Sequence, residues 1–447
     1  MIVERFRLIA AACTLVLLTL ACTFSQSPPP AETPPPSTPA LVSAGGSPQP
    51  PTQAPTPSEI TAPALTLPER SAALQALVAA VSGERIMASV QALAAIPTRH
   101  FASPGAAEAA AWIETAFRAA GGAWQVQVEE FPFTYNGIST TQRNVAAALA
   151  GSDPGAGIVL VGAHYDSRTV DVLDSTGRAP GANDNATGVA ALIELAMLLG
   201  EEHPRATIVL VAFAAEEVGM GGSRHYAAQA LARGDAIRAV IGVDTFGNAG
   251  GAAGEGALRA FAPPPDGGTP DTGGRRLART VAALGEAYLP GFDVVVQPAL
   301  DRPGRYGDHV AFHEVGADAL RLIELVEDTG RNHSADDTPG RLSVVYLQQA
   351  TGVLLAGVYG LAFGPPAPAD VHLSAPGTVA WAPVPDAAAY LVALRRPEAL
   401  EWETLVRVTG SASLTWDRLG DYAGISVASV DATGLSGAFS PEIAPVP

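Results

Sequence analysis

Cysteine is nearly absent from this chain of 447 residues, since Cys13 and Cys22 are the only two and both lie near the N-terminus. A disulfide framework is therefore excluded for the rest of the sequence. Any metal site there must be built from His, Asp and Glu side chains.

Basic residues are also scarce: 26 Lys and Arg face 44 Asp and Glu, for a formal net charge of −18. A surface this acidic repels phosphate backbones, so we expect no nucleic-acid partner. Charged residues make up only 16% and hydrophobic residues 48%, which allows a sizeable core. The length predicts two or three domains.

The N-terminus has the pattern of an export signal. Arg5 and Arg7 precede LIAAACTLVLLTLAC, an apolar run too short to span a bilayer comfortably. Its end resembles a bacterial lipoprotein cleavage box, although Thr19 stands where Leu is usual. We expect residues 1–22 to be the signal and Cys22 to carry a lipid anchor on the outer face of the cell membrane. The alternative is a secreted protein cut near Ala21.

Composition divides the remaining chain. Residues 23–66 contain little but Pro, Ser, Thr, Ala and Gly, which predicts a disordered tether. Residues 67–364 alternate between apolar runs and helical spacing. After the break GPPAPAD, residues 368–447 are strand-like, so we expect a small all-β sandwich there and a chain ending near Pro366 that folds without it.

Four short runs rich in β-branched residues predict strands buried on both faces: GIVLVGA (157–163), TIVLVAFA (207–214), AVIGV (239–243) and ALRLI (319–323). Two segments between them, 187–202 and 222–234, have the apolar spacing of helices. This alternation predicts an α/β domain with a mostly parallel central sheet flanked by helices.

Acidic and imidazole side chains follow three of these strands, and one more acid lies in the turn PGANDNATG. They are His164 and Asp166, Glu216 and Glu217, Asp244, and, in the turn, Asp184. Ligands of parallel sheets bind beyond the carboxyl ends of the strands, so we expect these side chains to meet. Taken singly, each has a simpler explanation. His164 and Asp166 could form a hydrogen-bonded pair in a loop, the two glutamates could begin a helix, and Asp184 could be a helix N-cap. Their joint occurrence favours a metal site.

The charge balance fits two divalent metals. Asp184, Glu217 and Asp244 supply three negative charges, and a bridging hydroxide would supply the fourth. Two neutral imidazoles would complete a site with open positions, as catalytic zinc requires.

The ordered motifs HYDS, GANDNATG, AFAAEEVGMGGSRHY, VDTFGN and NHSADDT resemble those of two-zinc bacterial aminopeptidases related to leucyl aminopeptidase. The same superfamily includes glutamate carboxypeptidase, the transferrin receptor and glutaminyl cyclase. The likeness extends from about Thr98 to Ala362. It implies a metallo-exopeptidase that uses two zinc ions to hydrolyse the N-terminal residue of peptides with a free N-terminus.

The resemblance also implies residue roles. Asp166 would orient a ligand histidine, Glu216 would be the general base, and Asp184 would bridge the metals. It leaves open whether His309, in the GDHVAFHEVG loop, approaches the substrate. The metal ligands that it implies are His164, Asp184, Glu217, Asp244 and His333.

Some positions depart from the family pattern. Thr245 stands where Met is common, Ser334 where Thr is usual, and Asn332 where a Tyr hydroxyl often faces the oxyanion. The alternatives are a one-zinc glutaminyl cyclase, a glutamate-releasing carboxypeptidase and a non-catalytic receptor. Asn185 favours the peptidases over the cyclase, in which Ser is typical. Receptors lose ligands that this sequence retains.

The C-terminal segment carries a second resemblance. Trp381, Tyr390 and the ending SVDATGLSG are similar to a fibronectin type III module of about eighty residues.

Overall fold

The computed structural model describes residues 70–250, 256–262, 272–299 and 306–445. The predicted signal and tether lie outside these ranges. All described residues belong to one compact unit.

The helices of the described residues are α1 (Ala72–Ala80), α2 (Gly83–Ala94), α3 (Pro104–Ala119), α4 (Thr187–Leu199), α5 (Gly221–Arg233), α6 (Gly273–Tyr288), α7 (His309–His313) and α8 (Val344–Phe363). The strands of the α/β part are β1 (Gln125–Tyr135), β2 (Ile138–Leu149), β3 (Ile158–His164), β4 (Thr207–Phe213), β5 (Ile237–Asp244), β6 (Ala257–Phe261), β7 (Asp293–Val296) and β8 (Ala319–Glu324). The C-terminal strands are β9 (His372–Ala375), β10 (Thr378–Ala380), β11 (Ala389–Arg395), β12 (Thr404–Val408), β13 (Ser413–Thr415), β14 (Gly424–Val430) and β15 (Ser436–Phe439).

The central sheet has eight strands in the order β1-β2-β4-β3-β5-β8-β6-β7. Its middle, β4-β3-β5-β8, is parallel and consists of the four strands predicted from sequence. The α/β class with a mostly parallel sheet flanked by helices is confirmed. The sheet is extended by an antiparallel hairpin, β1–β2, joined to β4, and on the other side by β6, which is antiparallel to β8.

The middle strands are apolar along their whole length because helices cover both faces of the sheet. Every residue of β3 after Ile158 is buried, as is most of α4. Helix α8 is long and apolar enough to cross a membrane by length and composition. In this fold it is a core helix, because 72% of its most apolar window is buried.

The C-terminal segment forms two antiparallel sheets, β13-β10-β9 and β12-β11-β14-β15. Between them lies a core that includes Val379, Trp381, Tyr390, Val392 and Val427. The predicted sandwich is therefore present, with Trp381 and Tyr390 in edge-to-face contact at a centroid distance of 5.1 Å. The more specific likeness to fibronectin type III stays a prediction.

This sandwich is fused to the α/β part. The outer face of its four-stranded sheet is also buried, and β15 lies against α6 and α8. Leu435 belongs to the main core of the α/β part. Glu442 accepts two hydrogen bonds from Arg395, both of 2.9 Å, and lies 3.8 Å from Arg279 of α6. Because of these contacts, we expect that a chain ending near Pro366 does not fold by itself, unlike the expectation from sequence.

Candidate metal centre

The predicted ligands lie at one edge of the sheet because of where the strands end. His164 is the last residue of β3 and Asp244 the last of its neighbour β5. Glu217 follows β4 through a sharp turn in which Ala215 has a φ of 55°. Asp184 lies in the turn before α4, and His333, with a φ of 61°, lies in the loop after β8.

All five predicted ligands come together in two groups that share Asp184. The first is His164, Asp184 and Asp244, and the second is Asp184, Glu217 and His333. In the first group, Nε2 of His164 lies 3.3 Å from Oδ1 of Asp184 and 3.5 Å from Oδ1 of Asp244. In the second, Nε2 of His333 lies 3.3 Å from Oδ2 of Asp184 and 3.1 Å from Oε2 of Glu217.

These spacings suit a tetrahedral metal. Zinc bonds of about 2.0–2.1 Å place neighbouring ligand atoms about 3.3 Å apart. One buried carboxylate oxygen, Oε1 of Glu217, also accepts no hydrogen bond from the described residues. A carboxylate oxygen is costly to bury without a hydrogen-bond partner, and a cation bound between the ligands would compensate its negative charge.

The electrostatics of the two groups favour a cation. Burial by itself lowers the pKa of His333, but hydrogen bonds to Asp184 and Glu217 raise it to about 10. Burial raises the pKa of Asp184, yet His164 and His333 hold it well below its usual range. Protons on the imidazoles therefore compensate the carboxylates, and a metal would replace those protons.

Asp166 connects a ligand to the base predicted from sequence. Its carboxylate accepts hydrogen bonds from the backbone N–H groups of Glu216 at 3.0 Å and Glu217 at 3.2 Å. Nδ1 of His164 hydrogen-bonds to the backbone carbonyl of Asp166 at 3.2 Å, and Oδ1 of Asp166 lies 3.6 Å from the same nitrogen. The ring is thus oriented mainly by the backbone of Asp166. The backbone contacts were not expected from the sequence.

Glu216 is placed to handle a proton. Burial raises the pKa of its carboxyl well above the usual range. Proximity to His164 lowers the pKa, and the charges of Asp308, Glu217 and Asp244 raise it. A carboxyl group with this shift beside a metal-ligand cluster has the properties of a general acid and base.

Three charged residues at the site were missed in the sequence. Arg321, which is fully buried, lies 3.5 Å from Asp244, and Arg168 donates to Glu217 at 2.8 Å. Asp308 lines a small cavity with His164 and Asp244, and burial raises its pKa to about 7. Arg168 directly follows the motif HYDS, and Asp308 lies within the segment GDHVAFHEVG.

His309 and Asn332 lie close to the centre without joining either ligand group. A Cβ at Gly242, two residues before Asp244, would be 3.5 Å from Cβ of His309. Burial and then Arg321 lower the pKa of His309 to about 3, so the ring is neutral. Asn332 lines a small cavity with Asn183.

Known proteins resemble this chain in sequence and in fold. A probable zinc metalloprotease of Pyrenophora teres f. teres is 30% identical over 84% of this chain and 87% of its own length. An aminopeptidase from Aneurinibacillus sp. strain AM-1 has a TM-score of 0.52 at 18% identity, over 65% of this chain and 96% of its own. A glutaminyl cyclase of Fimbriiglobus ruber has a TM-score of 0.50 at 22% identity, over 62% of this chain and 95% of its own.

At these identities the two solved structures show the shared fold alone. The sequence relative and a family model decide the family: the model of peptidase family M28 matches residues 144–358. This range contains all five predicted metal ligands, namely His164, Asp184, Glu217, Asp244 and His333. The chain belongs to peptidase family M28 and is a zinc metallopeptidase.

Proposed function

We propose that this protein is an aminopeptidase that holds two zinc ions and releases N-terminal residues from peptides. The observation that carries the proposal is the position of Asp184, which offers Oδ1 to the group of His164 and Oδ2 to the group of His333. A carboxylate shared in this way suits a pair of metals, as in two-metal hydrolases.

The residues divide the chemistry between them. Bound zinc would supply an acidified water and polarise the scissile carbonyl. Glu216 takes the proton of the attacking water and later gives it to the leaving amine. Asp166 binds the backbone N–H groups of both Glu216 and Glu217. These hydrogen bonds keep the base, Glu216, and the adjacent ligand, Glu217, in a constant position relative to each other during the reaction.

The family resemblance implies that the free N-terminus of the peptide binds beside one of the two zinc ions, and accessibility favours the group of Glu217 and His333. His333 is the more accessible of the two imidazoles, since 25% of its side chain is exposed and only 3% of His164 is. The second ligand group is therefore the one that solvent reaches, through His333. A peptide entering by its end would meet this group first, which supports exopeptidase action.

Metal content and substrate range test the proposal together. We expect the purified protein to bind two zinc equivalents per chain and to hydrolyse aminoacyl chromogenic amides. The same amides with an acylated amine should resist hydrolysis, because the free amine is part of the recognised group. A single zinc, with cyclisation of N-terminal glutamine and no amide hydrolysis, would instead assign the protein to the cyclases.

The protein would act outside the cytoplasm, on peptides rather than nucleic acids. This proposal rests on the signal-like N-terminus and the net charge of −18. Replacing Cys22 with Ser should move the full chain from the membrane fraction to the soluble fraction of a bacterial host, because lipid attachment needs the thiol. Cys13→Ser, in the same segment, is the matched control. Equal membrane fractions for both variants would reject the lipid anchor.

A further inference from the structure

Asp337 makes an unusual set of contacts with the turn that carries Asp184. Its carboxylate accepts hydrogen bonds from the backbone N–H groups of Asn183 at 2.8 Å and Asp184 at 3.0 Å. Its own carbonyl accepts a third from the N–H of Ala182 at 3.2 Å. Only 3% of Asp337 is exposed. One buried residue therefore binds three consecutive amides of the turn.

Asp337 also belongs to the loop that carries His333. The loop is closed by short-range hydrogen bonds: the hydroxyl of Ser334 donates to the carbonyl of Arg331, and the N–H of Asp337 donates to the carbonyl of Ser334. His333 and Asp337 are thus held in one compact segment. The distance between Asp184 and His333 is consequently determined by the contacts of Asp337.

Arg99 holds the same turn from the side of β3. It is fully buried, and its guanidinium donates to the carbonyls of Tyr165 at 2.5 Å, Pro180, and Gly181 at 2.9 Å. Tyr165 lies between His164 and Asp166. Arg99 therefore fixes the turn to the end of β3. The backbone amides of the turn reach the His333 loop through Asp337.

We propose that Asp337 is a positioning residue that sets the separation of Asp184 and His333 and thereby the affinity of the second metal group. This inference rests on the proposed two-zinc function. Two N–H donors need two acceptor oxygens, which a carboxylate supplies. An Asn at this position would accept only one of them and would turn its own NH₂ group toward the other. The turn would then shift away from His333.

The test compares Asp337→Asn and Asp337→Ser with Asp336→Asn. Asp336 is the exposed neighbour, so its replacement removes the same charge without touching the turn. We would measure zinc dissociation constants by chelator competition, the visible spectrum of the cobalt-substituted protein, and Tm with and without zinc. Substitution of a residue that orients a metal ligand typically weakens metal affinity by about 10–100-fold.

We expect the second zinc equivalent to bind about 10–100-fold more weakly in both Asp337 variants. The first should change less, because His164 and Asp244 do not depend on Asp337. The rise in Tm on adding zinc should shrink in proportion, since ligand stabilisation follows affinity. The cobalt spectrum of the second equivalent should change, while Asp336→Asn should match the unmodified protein in all three measurements.

Other results separate the inference from the proposed function. An unmodified protein that binds no second zinc would overturn both. Two tightly bound zinc ions in the unmodified protein and unchanged affinities in the Asp337 variants would overturn this inference alone. Equal losses of Tm with and without zinc at unchanged affinity would show a general structural role and also overturn it. If neither Asp337 variant folded without metal, a general structural role would again be shown and the inference would be overturned.

Discussion

Glu216→Gln is expected to lower the turnover of aminoacyl amides by at least ~10²–10⁴-fold while leaving the zinc content unchanged. The amide keeps the shape of the side chain but cannot take the proton of the attacking water. The backbone N–H groups of Glu216 and Glu217 donate to the carboxylate of Asp166 and fix the segment after β4. The substitution changes only a side chain, so these hydrogen bonds remain. The comparison requires kcat, KM and metal analysis on the same preparations.

Two further variants define the specificity of this result. Asp184→Asn removes a charge from the carboxylate shared by both groups and should lower metal occupancy together with turnover. Glu201→Gln, at an exposed position on the surface, should change neither. If Glu216→Gln retained turnover within a few-fold, the general base would have to be another group. If it lost zinc, Glu216 would be a ligand instead.

The parts of the site that follow from sequence are those in which a ligand is adjacent to a regular element. His164 and Asp244 end strands of the parallel sheet, and the β-branched runs before them predict those strands directly. Parallel strands bring their carboxyl ends to one edge. The strand prediction was therefore sufficient to bring these two side chains together, and the conformation of the loops was not needed.

The supporting contacts could not be predicted in the same way. Asp337 reaches Asp184 across 153 positions, and Arg99 reaches Gly181 across 82. Both contacts involve backbone N–H or carbonyl groups of the turn, which every residue has, so no pairing of side-chain types marks them in the sequence. Arg321 is similar, because a fully buried cation beside Asp244 occurs within ALRLI, a segment otherwise typical of an apolar strand.

The edges of the sheet were also missed, for a different reason. The hairpin β1–β2 has one face exposed for much of its length, and its sequence mixes Gln, Glu and Thr with apolar residues. This composition weakens the signal that identified the buried strands. The sandwich was predicted from its turns and alternation, but its contact with the α/β part was not. The outer face of the four-stranded sheet carries Leu391, Val430 and Phe439 beside three Ala residues, but alternation alone does not show which element of the chain covers such a face.

A chain ending at Pro366 is expected to lose most of its folded population. Removing the sandwich would withdraw Leu435 from the main core and expose the surfaces of α6 and α8 against which β15 lies. It would also separate Arg279, which is 3% exposed, from Glu442. Exposing a buried Leu, Val or Phe side chain costs about 1.5–3 kcal/mol. Several such losses together are comparable with the total stability of about 5–15 kcal/mol of a typical protein.

Soluble yield, circular dichroism and Tm of the shortened chain test this expectation, and a point variant refines it. Glu442→Gln in the full chain should lower Tm clearly, because it leaves Arg395 and Arg279 with a neutral partner in a buried position. Glu398→Gln, an exposed glutamate of the same sandwich, should leave Tm unchanged. Zinc content should be equal in the two point variants, because neither residue approaches the ligand groups. A shortened chain with the Tm and zinc content of the full protein would contradict this expectation. The sandwich would then be an independent domain, and the core of the α/β part would pack equally well in the absence of Leu435.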